Sequence, residues 1–571
     1  STTGDINRIE VTADRLAFVA TPTTTAISAA MTAVTVEGRD SLSNRDLDYT
    51  GSIDITSTGT LTGTPVNSSA ISGLATYSSL THTVVGTGFT LTATTTGLTS
   101  SNTITSGTFD ITNVPTNSYR TTSLGTWTST GGTATWERLI SGTWTANAAP
   151  SFSSSNNIYI RHAVSITGST SAASVIVENG GTLTNSSSCT YGGTLLRVET
   201  GGVIQLNASL TVGGTFEVQD DATVNINFAF GTPSSSIWSG TENFHPNSNL
   251  VLQDWDAAND ILIPDNTAIS TNTYNGYTAA FGNIICDFGS NLGSSDDMIF
   301  LASGTNINMA HGDLIFRTND VSTADMRLAT TGTITSGIGG NFLVEDTYGA
   351  LQNINLKTSG TLTFTIKGDM VLDAATTRVV AGSIGTSTIN IDGNLTVTPS
   401  AVLDFNSTVS ATPISIVNLK GDLTGTGSGL LQNSNTSNLG QLNFTGTGDG
   451  LTADTTQTID IASTSSNENK NITFSVKNGA YVQLANRNFE LGNNSEVVVE
   501  SGGIFDFGFN GTTPLVVGIS GSQTGTKFTS QQGSTLKITS PDGINTSGTL
   551  GNVTVVASNR SFSQVATFHY I

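Results

Sequence analysis

The sequence predicts an all-β chain built as an amino-terminal β-sandwich followed by a long right-handed parallel β-helix, and three observations carry that expectation. Only 11% of the 571 residues are charged, 62 are Gly, and the polar positions are mostly Thr, Ser and Asn, a mixture that favours strands and turns over helices. Apolar residues make up 36% of the chain. They fall in short alternating clusters such as Ile53-Asp54-Ile55, Val224-Asn225-Ile226 and Leu536-Lys537-Ile538, the period of two that marks half-buried strands. That alternation argues against the disorder a Gly/Ser/Thr-rich composition otherwise suggests. Finally, a Gly-Asn/Asp-apolar element recurs every 25 to 30 residues, the period of a solenoid.

Residues 1–114 contain strand-like runs at Arg8 to Val11, Leu16 to Val19, Val34 to Glu37, Ile53 to Thr56, Leu74 to Tyr77, Phe89 to Ala93 and Thr108 to Ile111. Short strands at this density, separated by Gly, Ser, Asn and Asp turns, suit an immunoglobulin-like sandwich. With no Cys in the stretch, the core falls to Val34, Val36, Ile53, Ile55, Leu74, Tyr77, Phe89 and Leu91. Asp40, Asp46 and Asp48 share one loop; solvated turn residues are the first reading and a hard-cation site the alternative. Thr112-Asn113-Val114-Pro115 then ends strand pairing, so residues 115–154 are expected to be a linker and a Trp-rich cap, and residues 155–571 the β-helix.

The repeated element appears at Gly282-Asn283-Ile284, Gly312-Asp313-Leu314, Gly340-Asn341-Phe342, Gly368-Asp369-Met370, Gly393-Asn394-Leu395 and Gly421-Asp422-Leu423. A second element of small residues before a strand appears at Gly180-Gly181, Gly201-Gly202, Ser359-Gly360, Asn478-Gly479 and Gly502-Gly503. Each repeat is too long for one strand and too short for a domain, which describes one coil. Stacking coils at ~4.8 Å predicts an inward ladder of Ile284, Leu314, Phe342, Met370, Leu395 and Leu423, and beside it Cys286, Phe316, Val344, Leu372 and Val397. About 16 coils then give a rod of about 80 Å. Trp127, Trp136 and Trp144 lie within 18 residues and are expected to cap its first coil, with a sugar-stacking platform the alternative. The alternation of Ala566, Phe568 and Tyr570 runs strand pattern almost to Ile571, so either the polypeptide continues or another element covers that coil.

The runs Val34-Thr35-Val36-Glu37-Gly38-Arg39-Asp40, Asp48-Tyr49-Thr50-Gly51-Ser52-Ile53 and Gly86-Thr87-Gly88-Phe89-Thr90-Leu91 resemble the bacterial immunoglobulin-like repeats of cell-surface proteins. Ser501-Gly502-Gly503-Ile504-Phe505, Thr512-Thr513-Pro514-Leu515 and Gly533 to Ile544 resemble the β-helical segments of large secreted or surface proteins of the Bacteroidota, and Gly125-Thr126-Trp127 to Pro150 is similar to the segment preceding such β-helices. The resemblance implies an exported, adhesin-like cargo of the type IX secretion system, with a sorting domain beyond Ile571. It also implies O-glycan acceptors at triplets such as Asp40-Ser41-Leu42 and Asp454-Thr455-Thr456. Its motifs are turn and stacking signals, so they speak to architecture more than to activity.

Chemistry is sparse. A net charge of −22 leaves no basic face for nucleic acid, and no apolar run reaches the ~20 residues of a membrane-spanning helix. The 5 His residues, at 82, 162, 245, 311 and 569, lack a zinc-ligand spacing, and His311 reads as a corner residue. Cys189 and Cys286 lie several coils apart, beyond the ~7 Å reach of a disulfide, and are expected to be buried thiols. The best carboxylate pairs, Asp220-Asp221 and Asp296-Asp297, have no Gly-His-Gly or Arg-x-Lys element beside them. These features predict no catalytic, cofactor or metal residues. They predict instead a secreted or cell-surface structural and adhesive protein whose partners are secretion or attachment proteins and glycans. A polysaccharide lyase or glycoside hydrolase on the same fold is the alternative.

Overall fold

The computed structural model describes residues 11–228 and 241–571 apart from internal gaps, the longest of which are 254–259, 264–269, 288–297, 319–325, 347–352, 407–413, 448–455, 462–467 and 545–550. The described residues contain strands and one 3-10 turn, Ala557–Asn559, but no α-helix.

The amino-terminal unit encloses its own apolar core, separate from the rest. Arg15–Ala20, Val34–Arg39 and Leu74–Tyr77 form one antiparallel sheet, and Thr103–Thr105, Leu91–Thr94, Ser52–Ser57 and Asn67–Ser69 another. Val34, Val36, Ile53, Ile55, Tyr77 and Leu91 are buried as expected. Leu74 is only half-buried and Ala75 takes its place, because the strand's period of two cannot turn both residue 74 and Tyr77 inward. The expected strand at Phe89 to Ala93 is two strands: Gly86–Phe89 pairs with Phe109–Thr112, whereas Leu91–Thr94 pairs with Ser52–Ser57. The predicted strand at Arg8 to Val11 lies almost wholly outside the described residues.

Beyond residue 118 the chain winds into a solenoid. Its spine is a 17-stranded sheet running from Gly125–Trp127 to Thr567–Tyr570, all of it parallel. Sixteen strand spacings of ~4.8 Å make it about 77 Å long. Both predicted inward ladders are present in register: Ile284 pairs with Leu314, Leu314 with Phe342, Phe342 with Met370, Met370 with Leu395 and Leu395 with Leu423. The Cys286, Phe316, Val344, Leu372 and Val397 row runs beside it, and every member of both rows is buried. Burying each such side chain contributes roughly 1.5–3 kcal/mol of transfer free energy.

The Gly-Asn/Asp element has a physical cause. The Asn283 side-chain Oδ1 accepts the Asp313 backbone N–H at 2.8 Å, Asp313 accepts that of Asn341 at 2.6 Å, and Asn341 that of Asp369 at 2.8 Å. Asp369, Asn394 and Asp422 continue the chain to Asn394, Asp422 and Thr458. Each corner N–H is thereby satisfied by the coil before it. The preceding glycine makes the room: a Cβ on Gly340 would sit 2.3 Å from Asp313 Oδ1, and one on Gly368 2.3 Å from Asn341 Oδ1. Asn and Asp alternate along the row, so carboxylates never occupy adjacent coils, where like charges one strand spacing apart would repel.

The other faces are not continuous. An 8-stranded sheet precedes the spine strand in the early coils and ends at Thr241–Phe244, and a 9-stranded sheet takes that role from Thr333–Ile338 onward. Between them an antiparallel hairpin, Asn272–Tyr274 with Tyr277–Ala279, turns through Asn275 and Gly276 at positive φ. Among the described residues, single parallel bridges from Phe281 to Ala310 and from Ala310 to Ile338 carry the ladder past it. At the start, Tyr119–Thr121 and Gly125–Trp127 already pair with Asn157–Ile160 and Ala163–Ile166 as a first coil. The hairpin Trp136–Ile140 with Thr143–Asn147 then covers the outer edge of Tyr119–Thr121. Trp127 and Trp136 are buried with ring centroids 5.5 Å apart, and Trp144 lies under the Arg120 guanidinium at 4.4 Å.

Two substitutions test the corner argument. Gly340→Ala should lower stability by about 1–3 kcal/mol, read by denaturant unfolding. Asn341→Ala should speed hydrogen exchange at the Asp369 amide while leaving amides two coils away unchanged. An unchanged Asp369 amide would contradict the capping role.

Candidate functional site

Most residues singled out in the sequence are engaged locally. Asp40 accepts the N–H groups of Leu42 and Asn44 and the Asn44 side chain, and those bonds, led by the Asn44 side chain, hold its carboxyl below the usual range. Asp46 turns the other way, accepting from Ala13 and Asp48 backbone N–H groups at 2.9 Å. The carboxylates therefore serve separate turns, and among the described residues no three His, Cys, Asp or Glu side chains converge on a metal site. Asp220 accepts the Asn247 N–H at 2.9 Å, and Asp221, at positive φ, is pushed up by burial and by the Asp220 charge. Asp296-Asp297 and Asp454-Thr455 lie outside the described residues.

Cys189 and Cys286 are free and buried, and burial raises both thiols, Cys286 the further. Cys189 borders a cavity of about 20 Å³ inside the early coils, with Trp127, Asn185 and Tyr191 also in its wall. That is room for a single water. His82 is buried against Phe89 and Phe109. His311 sits at the bend before Gly312, edge-on to Tyr274 and Tyr277, and among the described residues its Nε2 and the Tyr277 hydroxyl have no hydrogen-bond partner.

A charged constellation that no sequence motif announced lies on the outer face of the 8-stranded sheet. Register places Tyr159, Ile176, Arg197, Glu217 and Asn243 in one outward row. The positions two residues on, Arg161, Glu178, Glu199, Gln219 and His245, follow the same coils as a second row. Arg161 pairs with Glu178, Arg197 Nε donates to Glu217 Oε2 at 2.6 Å, and Arg197 Nη1 lies 3.6 Å from Glu199 Oε1. His245 Nε2 lies 3.6 Å from Glu217 Oε1, and the His245 ring sits 5.3 Å from Tyr274 of the inserted hairpin. Tyr274 donates its hydroxyl proton to Asn243 Oδ1 at 2.8 Å, which anchors the hairpin at the end of the rows.

The two central carboxyls are shifted in opposite directions. Burial opposes ionisation of Glu217, but the nearby His245 imidazole and the hydrogen bond and charge of Arg197 outweigh it and bring the carboxyl down to about 2. Glu199 keeps 30% side-chain exposure yet is crowded by surrounding protein. Burial, with the like charges of Glu178 and Glu217, raises it against the opposing pull of Arg197. Opposite shifts on neighbouring carboxyls are the pattern by which acid and base roles are separated. The rows form one wall of an open cleft of about 850 Å³, whose other wall carries Thr23, Thr25, Met31, Ser79 and Thr81 of the amino-terminal unit.

The rows were hidden in the sequence because coils here are shorter, 17 to 21 residues between Arg161, Glu178 and Glu199, than the 25 to 30 of the Gly-Asn/Asp element. The available signal was Arg and Glu recurring at coil spacing. Comparison with known protein families, curated proteins and solved structures finds no match to this chain.

Glu217→Gln removes a group whose carboxyl is lowered from 4.5 to about 2. A lowered carboxyl adds stability that is present above the unfolded value and lost as pH falls through about 2. The variant should therefore lose about 2–3 kcal/mol at pH 7, and the deficit should shrink on acidification through pH 4.5 toward 2. Glu199→Gln should be neutral or stabilising at pH 7, because that carboxyl is raised in the fold. Equal losses in both variants would contradict the assignment. A thiol reagent should leave both cysteines of the native protein unmodified and react with both after denaturation; modification of the native protein would place a thiol at the surface.

Proposed function

We propose that this chain is a secreted or cell-surface structural and adhesive protein, a cargo of the type IX secretion system in which the solenoid holds a binding surface away from its anchorage. The observation that supports it best is the uninterrupted 17-stranded parallel spine. A ladder whose every coil is bonded to the next is a stiff spacer, and its stability is a sum over neighbouring coils. The weakly charged, Thr- and Asn-rich exterior suits a surface that must stay soluble without binding ions or nucleic acid.

The amino-terminal unit is read as immunoglobulin-like. Strand pairing supports this: Arg15–Ala20 runs antiparallel to Val34–Arg39, and Thr25–Ala26 crosses to pair in parallel with Phe109–Thr112. Leu91–Thr94 lies between Thr103–Thr105 and Ser52–Ser57. Successive strands that pass from one sheet to another suit a sandwich of this kind.

A second reading, a polysaccharide-cleaving enzyme, draws on one observation, the split between Glu199 and Glu217. A raised carboxyl beside a lowered one is the pattern that glycosidic hydrolysis divides between acid and nucleophile.

Labelling intact producing cells with a membrane-impermeant amine reagent, followed by recovery of this chain, tests the principal reading. Labelled protein on cells or in the medium is expected; protein labelled only after lysis would overturn it. Release of reducing ends from a polysaccharide by the wild type but not by Glu199→Gln would favour the enzyme.

A further inference from the structure

We propose that the cleft over the outward rows at Arg161, Glu178, Arg197, Glu199, Glu217 and His245 is a binding site for a neutral polysaccharide, lying across successive coils. The proposal rests on the surface-adhesive reading and names where on the molecule adhesion occurs and to what.

The first argument is a departure from the chain's own pattern. Along the Gly-Asn/Asp row, carboxylates are kept two coils apart. In the cleft, Glu178 and Glu199 directly follow the paired Val177 and Val198 at the ends of adjacent strands, and Glu217 lies on the next strand opposite Arg197; like charges so crowded are destabilising, and they gather here in a group where the spine carries only the pair Glu345 and Asp373 among its described strands. Local conflicts with an otherwise consistent design concentrate at functional sites.

The second argument is the chemistry of the wall. Arg161 and Arg197 nearly balance the three glutamates, so no net field selects an ion. What remains are planar guanidinium, carboxylate, amide and imidazole groups offering donors and acceptors side by side. Vicinal sugar hydroxyls need both at once. Hydrogen bonds to hydroxyls held by both kinds of group at once are lost together when a ligand lacks one of them, which is how such a site discriminates. The facing wall adds uncharged hydroxyls from Thr23, Thr25, Ser79 and Thr81, which complement a neutral chain and give a charged one no counter-ion.

The third argument is repetition. The second row, Arg161 to His245, places a polar side chain on each successive coil at ~4.8 Å along the rod, so an extended polymer meets a hydrogen-bonding group at every coil, while a small ligand would use one. Tyr274, on the inserted hairpin, closes the rows at one end.

Native affinity electrophoresis of the whole chain through gels containing neutral polysaccharides (mixed-linkage glucan, galactomannan, arabinoxylan), polygalacturonate or chitosan tests the proposal. At least one neutral polymer should retard the wild type. Gln219→Ala, which removes a cleft amide outside the ion pairs, and Glu199→Gln should each weaken that retardation at least fivefold. Thr363→Ala, on the far 9-stranded sheet, should leave it unchanged, and unfolding midpoints should confirm that all variants are folded. No retardation by any neutral polymer, retardation only by charged ones, or full retention in both folded cleft variants would overturn it. Surface labelling of cells combined with a silent cleft would sink this site while leaving the adhesive reading standing; protein confined inside cells would remove the reading beneath it.

Discussion

In-register parallel stacking governs this molecule. Because each spine strand bonds to the next without a shift, every side chain faces its counterpart one strand spacing away, and whatever is placed at a position is multiplied along the rod. Inward, that multiplication rewards aliphatic and aromatic residues, and the ladder from Ile284 to Leu423 meets the demand in every coil. Outward, it penalises charge. The alternation of Asn and Asp from Asn283 to Asp422 answers that penalty while keeping an oxygen on every coil to accept the next corner N–H. The low charge of the whole chain follows from the same rule.

Against this background the cleft gathers three carboxylates, where the described spine strands carry one register pair, Glu345 and Asp373. Glu178 and Glu199 stand one coil apart, the basic side chains that compensate them come from flanking positions, and the Glu199 and Glu217 carboxyls are shifted in opposite directions. The same stretch of rod ends where one face changes hands, at the hairpin carrying Tyr274 and Tyr277. The early coils and the later ones thus share a spine but differ on the face beside it. The early face carries chemistry; the later one is dominated near its start by Thr, with Thr335, Thr363 and Thr388 aligned in register.

The spine was legible in the sequence because its repeat is marked twice, by an apolar residue that must point inward and by a Gly-Asn/Asp pair that only one corner geometry explains. The buried, unpaired state of Cys189 and Cys286 followed from the same register. Leu74 was misplaced because hydrophobicity was weighed without the strand's strict alternation against Tyr77. The break at Thr90 was missed because an apolar run gives no sign that its two ends join different sheets. The charged rows escaped for a different reason: Arg161 to His245 form a site only once coil lengths are known, and those lengths vary too much here for a fixed period to align them.

The central claim, one unshifted ladder from the early coils into the later ones, is tested most directly by a distance. Thr184 and Thr424 occupy the same outward column, nine register steps apart. Spin labels placed at these two positions, with the buried native cysteines left unmodified, should give a narrow distribution in pulsed dipolar spectroscopy centred near 43 Å, nine spacings of ~4.8 Å. A broad distribution, or a centre displaced by two or more strand spacings, would contradict a continuous ladder and with it the placement of the cleft on a rigid rod.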